Sequence, residues 1–184
     1  PGIQGMLGLR WEPCDGLALG LGVRSPGKVW MDGSMKLPDR SRQDVDLELR
    51  MPTQVFAGVT KHFGERVTTS LAVRWSDTSS FGDSMIEFEV TDAADAPFVP
   101  RAKDEWLFSA GLEYRLNDLL TLRLGAGHAN SIVGDKGVSP LLFDTSDTRV
   151  ALGLGLNLDP WSIDFMIGHA FENGRTIGPD RALI

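Results

Sequence analysis

Arginine has the most chemistry to offer in this chain, because its planar guanidinium can grip a carboxylate through two parallel hydrogen bonds. Arg24, Arg74, Arg115, Arg123 and Arg149 all fall on one phase of stretches in which apolar and polar residues alternate. Asp46, Glu48, Glu113 and Asp164 share that phase and are equally placed to neutralise the arginines across neighbouring strands. A buried unpaired charge is costly, so pairing is the default for any one arginine. Histidine and serine offer less. His62, His128 and His169 share no metal-ligand spacing, and Ser131, close to His128, has no orienting acid at a suggestive distance. Cys14 is the sole cysteine, so no intrachain disulfide can form. These residues predict a protein that binds rather than transforms, with no catalytic residue, no metal and no cofactor.

The elements that must position them are strands. Leu17, Leu19, Leu21 and Val23 alternate with Ala18, Gly20, Gly22 and Arg24. The same period of two runs through Val45 to Thr60, Val67 to Trp75, Trp106 to Leu116, Leu120 to Ala126, Val150 to Leu158 and Trp161 to Ile167. With a first strand from Ile3 to Trp11, about eight strands of roughly ten residues result, the length that crosses a bilayer at a tilt. Pro52 interrupts one of them, and a local bulge is expected there.

The contents of the two faces choose the solvent. One face is nearly uniform Leu and Val, with Trp11, Trp75, Trp106, Tyr114 and Trp161 near strand ends. The other carries Gly, Ala and Ser with isolated charges. That is a lipid-facing band with aromatic girdles around a partly polar lumen, whereas a soluble lipid-binding barrel would reverse the two. A mean hydropathy of -0.08 fits strands that average both faces. No run of about 18 apolar residues exists to make a spanning helix. With 18 basic residues against 25 acidic ones, the chain also lacks the basic stripe that nucleic acid requires.

Connection lengths alternate. Short turns fall at Glu12 to Gly16, His62 to Arg66, Asn117-Asp118 and Asp159-Pro160; long connections span roughly 25–44, 77–103, 129–147 and the residues after 170. Membrane barrels show this pattern, with short periplasmic turns and long outer loops. Val29-Trp30-Met31 and Met85 to Val90 read as strand extensions above the membrane, and Asp92 to Pro97 as a turn. The Arg-Ser-Pro sequence at Arg24 then lies at the outer mouth, which singles out Arg24 and Lys28 for a ligand head group. Trp30, Phe81 and Phe143, with other apolar loop residues, would line an external groove for an apolar tail or pack loop on loop. Arg74, Arg123 and Arg149 complete the candidate ligand-binding set.

Three collinear segments resemble the FadL family of outer-membrane channels for fatty acids and aromatic hydrocarbons. They are Leu19 to Pro26 with Val29 to Gly33; Leu49 to Pro52 through Ala57-Gly58-Val59 to Leu71–Ser76 and Phe81; and Trp106 to Gly127, with Gly111, Tyr114, Arg123 and Gly125. The resemblance implies an antiparallel up-and-down barrel of fourteen strands, plugged by an N-terminal hatch, that captures substrate outside and releases it through the wall. On that reading residues 1–184 are one partial barrel segment without the hatch, the early strands and the last strand. The absent leader before Pro1 and the loop-like stretch from Gly178 to Ile184 point the same way. Ala129 to Gly137 is longer than the family's usual link, so no ligand residue is carried over from it.

The expected function is passive uptake of hydrophobic compounds across the bacterial outer membrane by a monomer surrounded by lipid and lipopolysaccharide. A porin-like or structural barrel and a soluble lipid-binding β-protein stand as alternatives. An open sheet, not a closed barrel, is expected of eight strands alone.

Overall fold

The computed structural model describes residues 3–36, 42–83, 85–88, 96–97, 102–133 and 146–172. In chain order the strands are β1 (Met6–Cys14), β2 (Leu17–Arg24), β3 (Gly27–Lys36), β4 (Arg42–Met51), β5 (Gln54–Phe63) and β6 (Val67–Ser76). A 3₁₀ turn at Thr78–Asp83 precedes β7 (Met85–Phe88) and β8 (Ala96–Pro97). The rest are β9 (Glu105–Arg115), β10 (Leu120–Ala129), β11 (Asp147–Leu158) and β12 (Trp161–Glu172).

Eight of them form one antiparallel sheet in the order β1-β2-β5-β6-β9-β10-β11-β12. It is open, with β1 and β12 at its edges. Neighbours in the sheet are neighbours in sequence apart from the excursions into β3–β4 and β7–β8, which make a second, four-stranded sheet. Short turns join the strands at one end, and two of them depend on glycine. Gly16 and Gly64 adopt φ of 70° and 64°, where a Cβ is strained. At Gly16 a Cβ would also lie 3.1 Å from the His62 carbonyl, so this glycine lets two adjacent turns pack together.

The register sorts every side chain. Leu21, Ala57, Val73, Phe108 and His128 lie side by side on one face, and Leu71, Ala110, Ala126 and Val150 form the next row. This face is exposed: Leu152 is 60% and Ile167 73% accessible. Among the described residues the only buried hydrophobic ones are Ala129 and Val133. A soluble fold gathers its large apolar side chains into a core; here they line up along one face of the sheet, the arrangement of strands that meet lipid. Trp75 and Trp106 sit opposite one another at the long-loop end of that face. Trp11, Tyr114 and Trp161 lie towards the short-turn end.

The other face is a wall of small residues. Gly20, Gly58, Ala72, Ser109 and Gly127 form one row across it, and Ala18, Thr60, Ser70, Gly111 and Gly125 the next. Charged residues bound this smooth middle at both ends.

The hairpin of β2, β3, β4 and β5 keeps one register from Leu17 opposite Lys61 to Lys36 opposite Arg42. No residue is inserted at Pro52, so the expected bulge is absent. Instead Pro26 stands directly opposite Pro52, and that rung loses both of its N–H donors. The flanking backbone bonds outward: Ser25 N donates to Gly5 O at 2.8 Å, and Asp77 N to Thr53 O at 2.9 Å. Beyond this break β3 and β4 leave the eight-stranded sheet for the four-stranded one, and Val29-Trp30-Met31 is a strand as expected. Met85–Phe88 is likewise a strand, but Ala96–Pro97 pairs with Met85 and Ile86 and is not a turn. Glu89 to Asp95 lie outside the described residues.

Candidate functional site

The long-connection end of the wall holds Arg24, Lys28 and Trp30. Arg24, at the end of β2, faces Gln54 on β5, and its Nη1 donates to Gln54 Oε1 at 2.9 Å. Its guanidinium carbon also lies 5.7 Å from the centroid of the Phe56 ring, within cation–π range. Above it, past the paired prolines, Lys28 stands opposite Arg50 and Trp30 opposite Glu48, on the same face of the hairpin. Lys28, Trp30 and Arg50 line a cavity of about 660 Å³ with Ile3, Met51 and Asp77.

Glu48, on β4, is shared. Lys28 Nζ reaches its Oε1 at 2.8 Å and Arg50 Nε at 3.1 Å. The Lys28 ammonium, and then the Arg50 guanidinium, hold this carboxyl below the ordinary glutamate range. A depressed carboxyl pKa stabilises the fold at pH above the ordinary value, and that contribution is lost as pH falls through the lowered one. The Glu48 carboxyl carbon, followed by NMR in the intact protein, should therefore titrate with a midpoint below that of a free glutamate. Lys28→Ala should move the midpoint back towards the free value. A midpoint unmoved by that substitution would mean that the two side chains do not pair in solution.

The remaining candidates are placed as follows. Arg74 Nη2 donates to Glu105 Oε2 at 2.6 Å. Arg149 pairs with Asp147, two residues earlier on the same face of β11. Arg123 lies near the short-turn end, bonded to Glu113 at 2.7 Å and to Asp164 at 2.5 Å. It reaches Asp164 across β11 because Gly155 leaves the way clear; a Cβ there would lie 2.9 Å from both Arg123 Nη1 and Asp164 Oδ1. Phe81 belongs to the 3₁₀ turn, its side chain outside the description, and Phe143 lies outside the described residues. Of the five lumen-phase arginines, Arg24 and Arg115 have no acid partner among the described residues, and only Arg24 stands at the outer end.

Several residues that matter here stand out only in the structure. Gln54, Ser76 and Glu105 continue the row that Arg24 begins. Asp104 and Asn130 stitch the outer connections together. Trp75 Nε1 donates to Asp104 Oδ2 at 3.2 Å, Asn130 Nδ2 to the Asp104 carbonyl at 2.9 Å, and Trp106 N to Asn130 Oδ1 at 2.5 Å. Thr78 Oγ1 ties the 3₁₀ turn to the Lys103 carbonyl at 2.5 Å. Counting rungs from the short turns would have set Gln54 beside Arg24; nothing local marks Asp104 or Asn130.

Residues 5–181 match a family model described as outer membrane protein transport protein (OMPP1/FadL/TodX). Among solved structures, a Pseudomonas aeruginosa FadL homologue superposes with a TM-score of 0.81 at 18% identity, over 96% of this chain and 46% of that one. The CymD monoaromatic hydrocarbon channel gives 0.68 at 20% identity, over 94% and 47% of the two chains. A TodX monoaromatic hydrocarbon channel mutant gives 0.64 at 21%, over 90% and 43%. These likenesses show the fold, and the chain spans less than half the length of each. No curated protein sequence matches.

Proposed function

This chain belongs to the outer membrane transport protein family of FadL and TodX, and from that premise we propose that it forms part of a channel admitting hydrophobic compounds such as long-chain fatty acids or aromatic hydrocarbons. Passage is passive: affinity comes from apolar burial, orientation from one or two cations, and no cofactor takes part. The protein works as a monomer, its outward band set in lipid and lipopolysaccharide. The observation that supports this reading is the 660 Å³ cavity lined by Lys28, Trp30 and Met51 at the long-connection end of the sheet. It opens above a wall of glycine, alanine and serine that offers a solute few obstacles. CymD and TodX, which share the fold, are named as hydrocarbon channels.

The test is binding of a fluorescent long-chain fatty acid to the intact protein in detergent. Saturable binding is expected, weakened about tenfold by Trp30→Ala, which corresponds to roughly 1.4 kcal/mol of apolar contact. Lys28→Ala should weaken it less, because Glu48 already engages that ammonium. A protein with the heat-modifiable mobility of a folded barrel but no saturable binding would sink the reading.

A further inference from the structure

Arg24, Gln54, Ser76 and Glu105 occupy one lumen-facing rung across β2, β5, β6 and β9. Their side chains form a continuous polar row. Gln54 takes the Arg24 donor on its carbonyl oxygen and gives its own Nε2–H to Ser76 Oγ at 3.2 Å. Ser76, wholly buried, passes its hydroxyl towards Glu105 Oε2 at 3.5 Å. The only carboxylate of the row thus lies two strands beyond Gln54, and Arg74 already holds it at 2.6 Å. Arg74 thus engages the one carboxylate of the row, and Arg24 has no acid partner among the described residues.

We infer that Gln54 sets the charge selectivity of this site: a neutral amide fixes the Arg24 guanidinium without cancelling its charge, so the outer lumen prefers an anionic amphiphile to a neutral hydrocarbon. The inference deepens the channel reading and rests on it. Its physical basis is the position of one atom. The substitution Gln54→Glu would be nearly isosteric and would put a charged oxygen where Oε1 now accepts from Arg24, closing an ion pair like those at Arg74, Arg123 and Arg149. Gln54 acts through Arg24, by leaving its charge uncancelled. Phe56, stacked beside the guanidinium, supplies an apolar surface where an acyl chain next to the head group can lie.

The experiment uses the intact protein in detergent, with oleate and methyl oleate displacing an uncharged fluorescent alkane probe. The native protein should bind oleate more tightly than the ester, by about tenfold or more, and the margin should shrink as salt is raised. Gln54→Glu and Arg24→Gln should each cut the margin several-fold by weakening oleate more than methyl oleate. Gln54→Ala, which removes the amide but adds no charge, should keep most of it. Heat-modifiable mobility identifies the variants that fold. Equal affinity of the native protein for acid and ester would overturn the inference while leaving the channel standing. So would a margin undiminished in Gln54→Glu, or one lost in Gln54→Ala. Failure of both ligands to displace the probe would instead remove the channel reading on which the inference depends.

Discussion

Leu124→Arg should destabilise the intact barrel by about 2–4 kcal/mol in lipid vesicles, and Ala151→Arg should leave it nearly unchanged. The two positions are close in space and opposite in meaning. Leu124 lies mid-strand on β10, between Leu112 and Leu152, half exposed on the outward band. An arginine there must put its charge into hydrocarbon or bend to the interface. Ala151 lies on β11 between Gly125 and Gly168, on the face of small residues. A guanidinium there has room and meets a polar lumen. Urea unfolding of the vesicle-bound protein measures both costs. A larger loss at Ala151 would invert the assignment of faces and bring back the soluble alternative, whose apolar side is turned inward.

That contrast rests on a part of the fold that the sequence displays openly. A period of two assigns each residue to a face, and turns of two to five residues leave little freedom in pairing, so eight strands and their order follow from alternation and spacing. What alternation cannot show is which partner wins among several on one face. Arg149 chooses Asp147 on its own strand, whereas Arg123 crosses β11 to Asp164, and the difference depends on a missing side chain at Gly155. Pro52 alone suggests a bulge. Only the pairing of β2–β3 with β4–β5 brings Pro26 opposite, and it converts one lost donor into a break shared by two strands. At the site, the sequence marks the cations but not their availability. Arg24 and Lys28 look alike in the chain, yet Lys28 meets a carboxylate and Arg24 an amide. The ties at Asp104 and Asn130 join connections that carry no periodic signal, and their bonds arise only when β6, β9 and β10 end at the same level.

Asn130→Ala should therefore be the most damaging change outside the membrane band, costing about 2–3 kcal/mol. The amide accepts from Trp106 N and donates to the carbonyls of Asp104 and Ser131. Alanine would leave the exposed Trp106 N–H and the part-buried Asp104 carbonyl without that partner, and at the second an unmade hydrogen bond costs more than a made one gains. The consequence should reach the site. Asp104 precedes Glu105, which closes the row that begins at Arg24 and engages Arg74. Loosening Asp104 should let Glu105 shift, release Arg74 and change the charge that the outer lumen presents, so the margin between oleate and methyl oleate should move together with stability. Asn117→Ala is the control. Its side chain caps the amides of Leu119 and Leu120 at 3.0 and 2.8 Å in a short turn at the far end of the wall. That substitution should lower the thermal midpoint and leave the margin untouched. If Asn130→Ala lowered stability alone, as Asn117→Ala should, the outer ties would support the barrel without positioning Glu105 or the charges around it.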